Sequence, residues 1–321
     1  MNKTDKIFVA GHRGLVGSAV LRRLQSGGYA NLLTRTHNEL DLMDAAEVER
    51  FFATEKPKHV VLAAARVGGI LANATCSAEF IRENILIQTN VIHQAYLHGV
   101  EQLLFLGSSC IYPRDCPQPI REEYFMSGPL EKTNSAYAVA KIAGVEMCHA
   151  YNRQHGTKYI CLMPSNLYGS ADNFDLETSH VLPSMIRKFH EGKINRKPVV
   201  LWGTGTPRRE FLHADDMADA CVHILEQPAH RMADLFRPDV PPLINIGCGK
   251  DQTIRELAEL VADVVGYKQP PEWDRSKPDG TMRKLLDTSR LTALGWQPRI
   301  ALREGIQKVY SQYEVPAAAR P

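Results

Sequence analysis

Short apolar runs alternate with segments of helical period through the first half of the chain. IFVAG (7–11) is apolar throughout and stops at a glycine, the pattern of a strand buried on both faces. Leu15, Ala19, Leu21 and Leu24 recur at helical spacing, and Gly27-Gly28 closes that helix. The same rhythm predicts strands at 31–36 (NLLTRT), 59–65 (HVVLAAA), 102–109 (QLLFLGSS) and 159–164 (YICLMP). Helices are predicted at 44–54, 77–98 and 134–155. Alternation of this kind defines an α/β fold with a doubly wound parallel sheet and helices on both faces.

Beyond about residue 170 the rhythm changes. Helices near 179–191, 215–227 and 253–265 are separated by Pro- and Gly-rich loops and short strands such as PVVLW. The expected organisation is a coenzyme-binding domain over 1–170 and a smaller capping region over 171–321, some of whose segments return to the core. The cap would cover the carboxyl ends of the strands, where ligands of such sheets bind.

Composition narrows the function classes. The 321 residues carry a net charge of +2, and the densest basic stretch, KINRK (193–197), is short and lacks aromatics. No nucleic-acid surface is expected. The seven cysteines are odd in number and none falls in a CxxC pair, which argues against a disulfide framework or a zinc site and fits reduced thiols in the cytoplasm. No metal is expected. No apolar run approaches the length of a membrane span, and the N-terminal MNKTDKIFVAGHRG has no apolar signal core.

The first strand runs into Gly11-His12-Arg13-Gly14-Leu15-Val16-Gly17, a GxxGxxG turn that opens a helix. Such glycines let backbone N–H groups approach a pyrophosphate, and the helix N-terminus favours its charge, giving a Rossmann-type coenzyme site. An acid for the ribose 2′-OH of NAD is expected at the end of the second strand, but that place reads Thr34-Arg35-Thr36. With Arg13 in the loop, two guanidinium groups suit a 2′-phosphate, so the coenzyme expected is NADP (NADPH).

Tyr137 and Lys141 are four residues apart on the helix that follows the fourth strand, and so share a face. A phenol titrates near ~10, and a neighbouring ammonium is expected to lower that value, fitting the pair to exchange a proton with a carbonyl oxygen. Ser108, at the end of the fourth strand, can hydrogen-bond the same oxygen.

These motifs occur beside LAAARVGGILAN (62–73), LFLGSSCIYP (104–113), MPSNLYG (163–169), SHVLPSMIRKFH (179–190), WGTGTPRREFLHADD (202–216) and SKPDGTMRKLLD (276–287). Nearly end to end, the chain resembles the extended short-chain dehydrogenase/reductases that act on nucleotide sugars. The resemblance implies a homodimer built on the helices at 77–98 and 134–155. It also implies a GDP-4-keto-6-deoxy-D-mannose substrate, epimerised at carbons 3 and 5 and reduced by NADPH at carbon 4 to GDP-L-fucose. On the matching positions it implies Cys110 as base and His180 as acid of the epimerisation. The structural alternatives are a small buried thiol and a helix-capping imidazole. Leu106, Gly107, Ser109, Lys141, Pro164, Ser165, Asn166, Leu167 and His180 are implied to line the coenzyme. Asn166, Lys188, Trp202, Arg209 and Lys284 are implied for the substrate. Whether Arg187 replaces Lys188, or Arg283 replaces Lys284, depends on which faces the crevice. A nucleotide-sugar 4-epimerase or 4,6-dehydratase with tightly held NAD is the competing reading; Arg35 and Ser109-Cys110 stand where those enzymes carry acids.

Overall fold

The computed structural model describes residues 1–277 and 279–314. Its first half runs β1 (Ile7–Ala10), α1 (Leu15–Ser26), β2 (Leu32–Leu33), α2 (Ala45–Glu55), β3 (His59–Leu62), α3 (Ile70–Thr75), α4 (Ser77–Leu97), β4 (Gln102–Leu106), α5 (Ser135–His155), β5 (Tyr159–Pro164) and β6 (Asn166–Tyr168). The second half runs α6 (Val181–Asn195), β7 (Val200–Trp202), β8 (Arg208–His213), α7 (Ala214–Glu226), β9 (Leu243–Ile246), β10 (Asp251–Thr253), α8 (Ile254–Val265), β11 (Glu272–Asp274), β12 (Arg283–Lys284), α9 (Ser289–Ala293) and α10 (Leu302–Tyr313).

Six strands pair in the order β2-β1-β3-β4-β5-β9, every pair parallel. β1, β3, β5 and β9 are buried along their whole length, as their unbroken apolar runs require in a sheet covered on both faces. One apolar core packs α1 and α7 against the sheet, with Val20, Leu24, Met217 and Cys221 fully buried. A second, containing Val91, Ile92 and Val145, places α4 and α5 on the other face.

Several predicted limits shift. The second strand shrinks from 31–36 to two half-buried residues, because it lies at the sheet edge and pairs only with β1. The third ends at Leu62, and the fourth ends at Leu106 before turning through Gly107 and Ser108. The chain thus leaves the sheet where a crevice opens. Leu21 is only half-buried; Gly17 and Val20 complete the inner stripe of α1 instead. The short helix α3 was not predicted.

β9 is far from the first half in sequence, yet it is the sixth strand of the large sheet, and α7 packs on α1 with Arg23 2.7 Å from Asp219. The remainder of the second half forms a small sheet in which β8 pairs with β6, β10 and β12. Beside it β7 pairs with β11. A third core joins α6, α8 and α10 through Phe189, Val261 and Ile306. Among the described residues no helix is long and apolar enough to cross a membrane.

Candidate active site

The glycine turn joins β1 to α1. Gly11 adopts φ +85°, in the left-handed region, and a Cβ there would overlap the Ala63–Ala64 backbone. A Cβ on Gly17 would run into the Gly11 carbonyl. Both positions therefore require glycine if α1 is to start this close to β1 and β3. Gly14 caps α1 with no side-chain bond, so the first-turn N–H groups keep their donors for a ligand. Among the described residues the buried His12 Nδ1, in this turn, and Ser165 Oγ, just past β5, lack hydrogen-bond partners. An open helix N-terminus and two orphaned polar atoms at the carboxyl ends of strands fit a pyrophosphate-bearing coenzyme.

Arg35 lies just past β2. It donates to Thr34 O at 2.8 Å, pairs with Glu55 at 2.6 Å and lies over the Phe51 ring at 5.5 Å. Arg13, in the glycine turn, is exposed. The carboxyl of Glu39 accepts from the Thr36 N–H and hydroxyl; these bonds, helped by Arg35 and Arg13, hold it below the ordinary range. Two cations therefore flank one patch at the end of β2, where the Glu39 carboxylate is tied to Thr36 and that of Glu55 to Arg35.

Past β4 the backbone turns through Ser108, whose hydroxyl caps a 3₁₀ turn at Ser109–Ile111 by accepting from the Cys110 N–H at 3.3 Å. Across from it, α5 carries Tyr137 and Lys141. Lys141 is 3% exposed; its ammonium donates to the Leu106 carbonyl at 2.8 Å and lies 4.7 Å over the Phe105 ring. The distance to the Tyr137 ring centroid is 5.8 Å. Burial lowers Lys141 to about 8. The expected lowering of the phenol is not what the structure shows. Burial, with the Cys110 sulfur adding to it, raises Tyr137 well above its ordinary value. The phenol is half-buried and crowded by protein atoms, and the Lys141 ammonium is aimed at a backbone carbonyl. A phenol so placed is protonated at neutral pH and is set to give a proton.

A cavity of about 380 Å³ opens in front of this group. Ser108, Ser109, Cys110 and Tyr137 form its wall on the sheet side, and Asn166 and Leu167 continue it from β6. Asn166 spends its amide N–H on the Glu210 carbonyl at 2.8 Å. The second half of the chain adds His180, Lys188, Trp202, Arg209 and Lys284 to the lining. His180 precedes α6 but makes no side-chain cap bond, so capping does not explain it; crowding by protein atoms lowers its pKa. The ambiguous pairs resolve by facing. Arg187 pairs with Glu191 at 2.7 Å and donates to Phe174 O at 3.2 Å, whereas Lys188 lines the cavity and donates to Val200 O at 3.0 Å. Arg283 pairs with Asp251, whereas Lys284 lines the cavity. Trp202, 53% exposed, stands at the mouth with the Lys188 ammonium 5.9 Å from its ring.

The glycine turn, Arg35, Leu106, Gly107, Pro164 and Ser165 lie outside the lining of this cavity, at or near the ends of their strands. Sequence reading missed Asn134 and Ser179, which line the cavity with an unpartnered Asn134 Oδ1 and Ser179 Oγ among the described residues. A polar residue beside a helix start reads as a cap, so neither carried a separate signal. Glu131 was also missed; it lines the cavity and is 3.4 Å from both Arg114 and the Thr281 hydroxyl.

A buried lysine behind a protonated tyrosine, next to a glycine turn shaped for a dinucleotide, is machinery for adding a hydride and a proton to a ketone. That chemistry and this sheet place the chain among the short-chain dehydrogenase/reductases. More narrowly, residues 7–247 match the NAD dependent epimerase/dehydratase family, and the chain belongs to it. It is 57% identical to GDP-L-fucose synthase 1 of Arabidopsis thaliana, over 97% of this chain and 94% of that one. It is 51% identical to GDP-L-fucose synthase of Escherichia coli (strain K12), over 96% of each. A solved structure of a GDP-mannoheptose C4 reductase from Campylobacter jejuni with NADP bound superposes with a TM-score of 0.87 at 39% identity, covering 98% of this chain and 100% of that one.

Proposed function

We infer that the chain epimerises GDP-4-keto-6-deoxy-D-mannose at carbons 3 and 5 and reduces carbon 4, giving GDP-L-fucose at the expense of NADPH. The observation that carries this reading is that Cys110 and His180 line one cavity together with Ser108 and Tyr137. A reductase alone needs no thiol and imidazole there. Curated relatives of 51–57% identity carry the name of that activity.

The chain's residues divide the work. The carbon 4 ketone acidifies the protons on carbons 3 and 5. Cys110 takes such a proton and His180 returns one from the other face, while Ser108 and Tyr137 hydrogen-bond the enolate oxygen. Bound NADPH supplies the hydride for carbon 4. Tyr137 gives its proton to the oxygen formed there, and Lys141 below stabilises the resulting phenoxide. The glycine turn 11–17 holds the pyrophosphate, and Arg35 with Arg13 holds the 2′-phosphate. Lys188 and Arg209 neutralise the nucleotide diphosphate, Trp202 lies along the base, and Asn166 orients the sugar. We further propose a cytoplasmic homodimer through the outer face of α4 and α5, where Leu97 is 55% and Val139 44% exposed.

The test is incubation with NADPH and the keto sugar in deuterated water, with the product read by NMR. GDP-L-fucose labelled at carbons 3 and 5 is expected. A product reduced at carbon 4 with both centres uninverted overturns the epimerase half; turnover without net NADPH oxidation overturns the reductase half.

A further inference from the structure

Successive side chains of β8 point to opposite faces, so Arg209 and Phe211 line the cavity while Glu210 between them lies outside its lining. Glu210 is an acid in the core, 0% exposed. Its charge is held by backbone N–H groups from two other segments. Leu286, just past β12 on the strand that carries Lys284, donates to Oε2 at 3.0 Å. Gly249, in the turn between β9 and β10, donates to Oε1 at 2.6 Å, and the Cys248 N–H beside it also favours the carboxylate. The approach is so close that a Cβ on Gly247 would overlap the carboxylate. Burial raises the pKa of this acid, and the N–H groups oppose that rise. An amide does not replace it: glutamine has one acceptor oxygen, and its NH₂ would face one of the N–H donors.

β9 belongs to the large sheet, whereas β8 and β12 belong to the small one. One side chain therefore joins two strands of the small sheet to a turn of the large sheet. The ladder between β12 and β8 is only two pairs long, Arg283 with Arg208 and Lys284 with Arg209, and the Leu286 bond carries the tie past its end. We propose that Glu210 is the positioning residue for two cations of the substrate side: by fastening β12 and the turn after β9 to β8, its carboxylate sets the places of Lys284 and Arg209 in the cavity. The proposal rests on the reading of those cations as ligands of the nucleotide sugar. Glu210 acts through the backbone and contributes no atom to the cavity lining.

Glu210→Gln is compared with the wild type by titration calorimetry, against GDP and separately against NADPH, and by steady-state kinetics on the keto sugar. The Kd for GDP and the KM for the nucleotide sugar are expected to rise about tenfold or more, the worth of a hydrogen bond to a charged group. The Kd for NADPH and kcat should stay close to the wild-type values. Backbone hydrogen exchange should quicken in the peptide spanning 283–288 and not in the one spanning the glycine turn. Glu210→Asp keeps two acceptor oxygens on a shorter stem; it should recover part of the GDP affinity, and it carries the test if the glutamine variant does not fold. If GDP and NADPH weaken together, or if only the thermal midpoint falls, the carboxylate is a staple of the core and the proposal fails. If Arg209→Gln and Lys284→Gln both leave the Kd for GDP at the wild-type value, the reading of the cations fails and the proposal with it. If those two weaken GDP and neither Glu210 variant does, the proposal alone fails.

Discussion

The coenzyme side and the substrate side of the site are made in different ways. The coenzyme side is a backbone object: a seven-residue turn whose glycines allow β1, α1 and β3 to approach, with the adjacent helix start supplying donors. The substrate side is a side-chain object: His180, Lys188, Trp202, Arg209 and Lys284 come from the start and middle of α6, β7, β8 and β12, brought together only by the small sheet and the third core. Between them stand Ser108, Cys110, Tyr137 and Lys141. A backbone site keeps its shape under most side-chain changes and binds what many related chains bind. A site of convergent side chains can change ligand by single substitutions.

The largest effect should come where the two sides meet. Tyr137→Phe removes the proton donor and keeps the ring that packs against Phe80 at 6.2 Å, so NADPH oxidation should fall by about 10²–10⁴ with the thermal midpoint unchanged. Retained turnover would show that another group protonates carbon 4. On the coenzyme side, Arg35→Asp should cut the preference for NADPH over NADH in kcat/KM by about 10- to 100-fold, the worth of a charge-assisted contact. An unchanged ratio would move 2′-phosphate recognition to Arg13.

pH separates the two sides next. Lys141 is lowered by burial to about 8, so its charge is present below that pH and lost above it. The phenoxide then loses its stabiliser, and kcat should fall by up to about tenfold per pH unit above it. A kcat flat through that range would dissociate Lys141 from proton transfer. The smallest effects test facing on the substrate side. Lys188→Gln should raise KM for the nucleotide sugar about tenfold, the loss of one charged contact. Arg187→Gln should change KM less than about twofold and stability by about 1 kcal/mol, since it breaks a part-exposed i,i+4 pair with Glu191 and a hydrogen bond to the Phe174 carbonyl, both away from the cavity. Equal effects would erase the distinction drawn between neighbours.

What was legible in the sequence follows the same division. The parallel sheet, the glycine turn and the Tyr137–Lys141 spacing are local patterns, with buried strands as apolar runs and one helix face set by a period of four. The cap gave its helices but not its geometry. The choice of Lys188 over Arg187 depends on the contact of Arg187 with Phe174, and that of Lys284 over Arg283 on Asp251, neither visible in the local pattern. The sign of the Tyr137 shift was misjudged for a related reason. Spacing reveals the neighbouring cation but not the burial that outweighs it, nor the carbonyl that holds it. Orphaned groups such as Ser179 Oγ appear only once the packing is known.

β9 has a consequence for how such enzymes can diversify. Since the polypeptide leaves the large sheet at β5, contributes to the cap, and comes back to pair along β5, the two halves are interlaced. A fragment stopped near residue 170 would bare the fully buried β5 as a new sheet edge, an invitation to aggregate. Wholesale exchange of one half for a foreign module is therefore barred to this architecture. New sugar specificities have to be written into the loops between its threads.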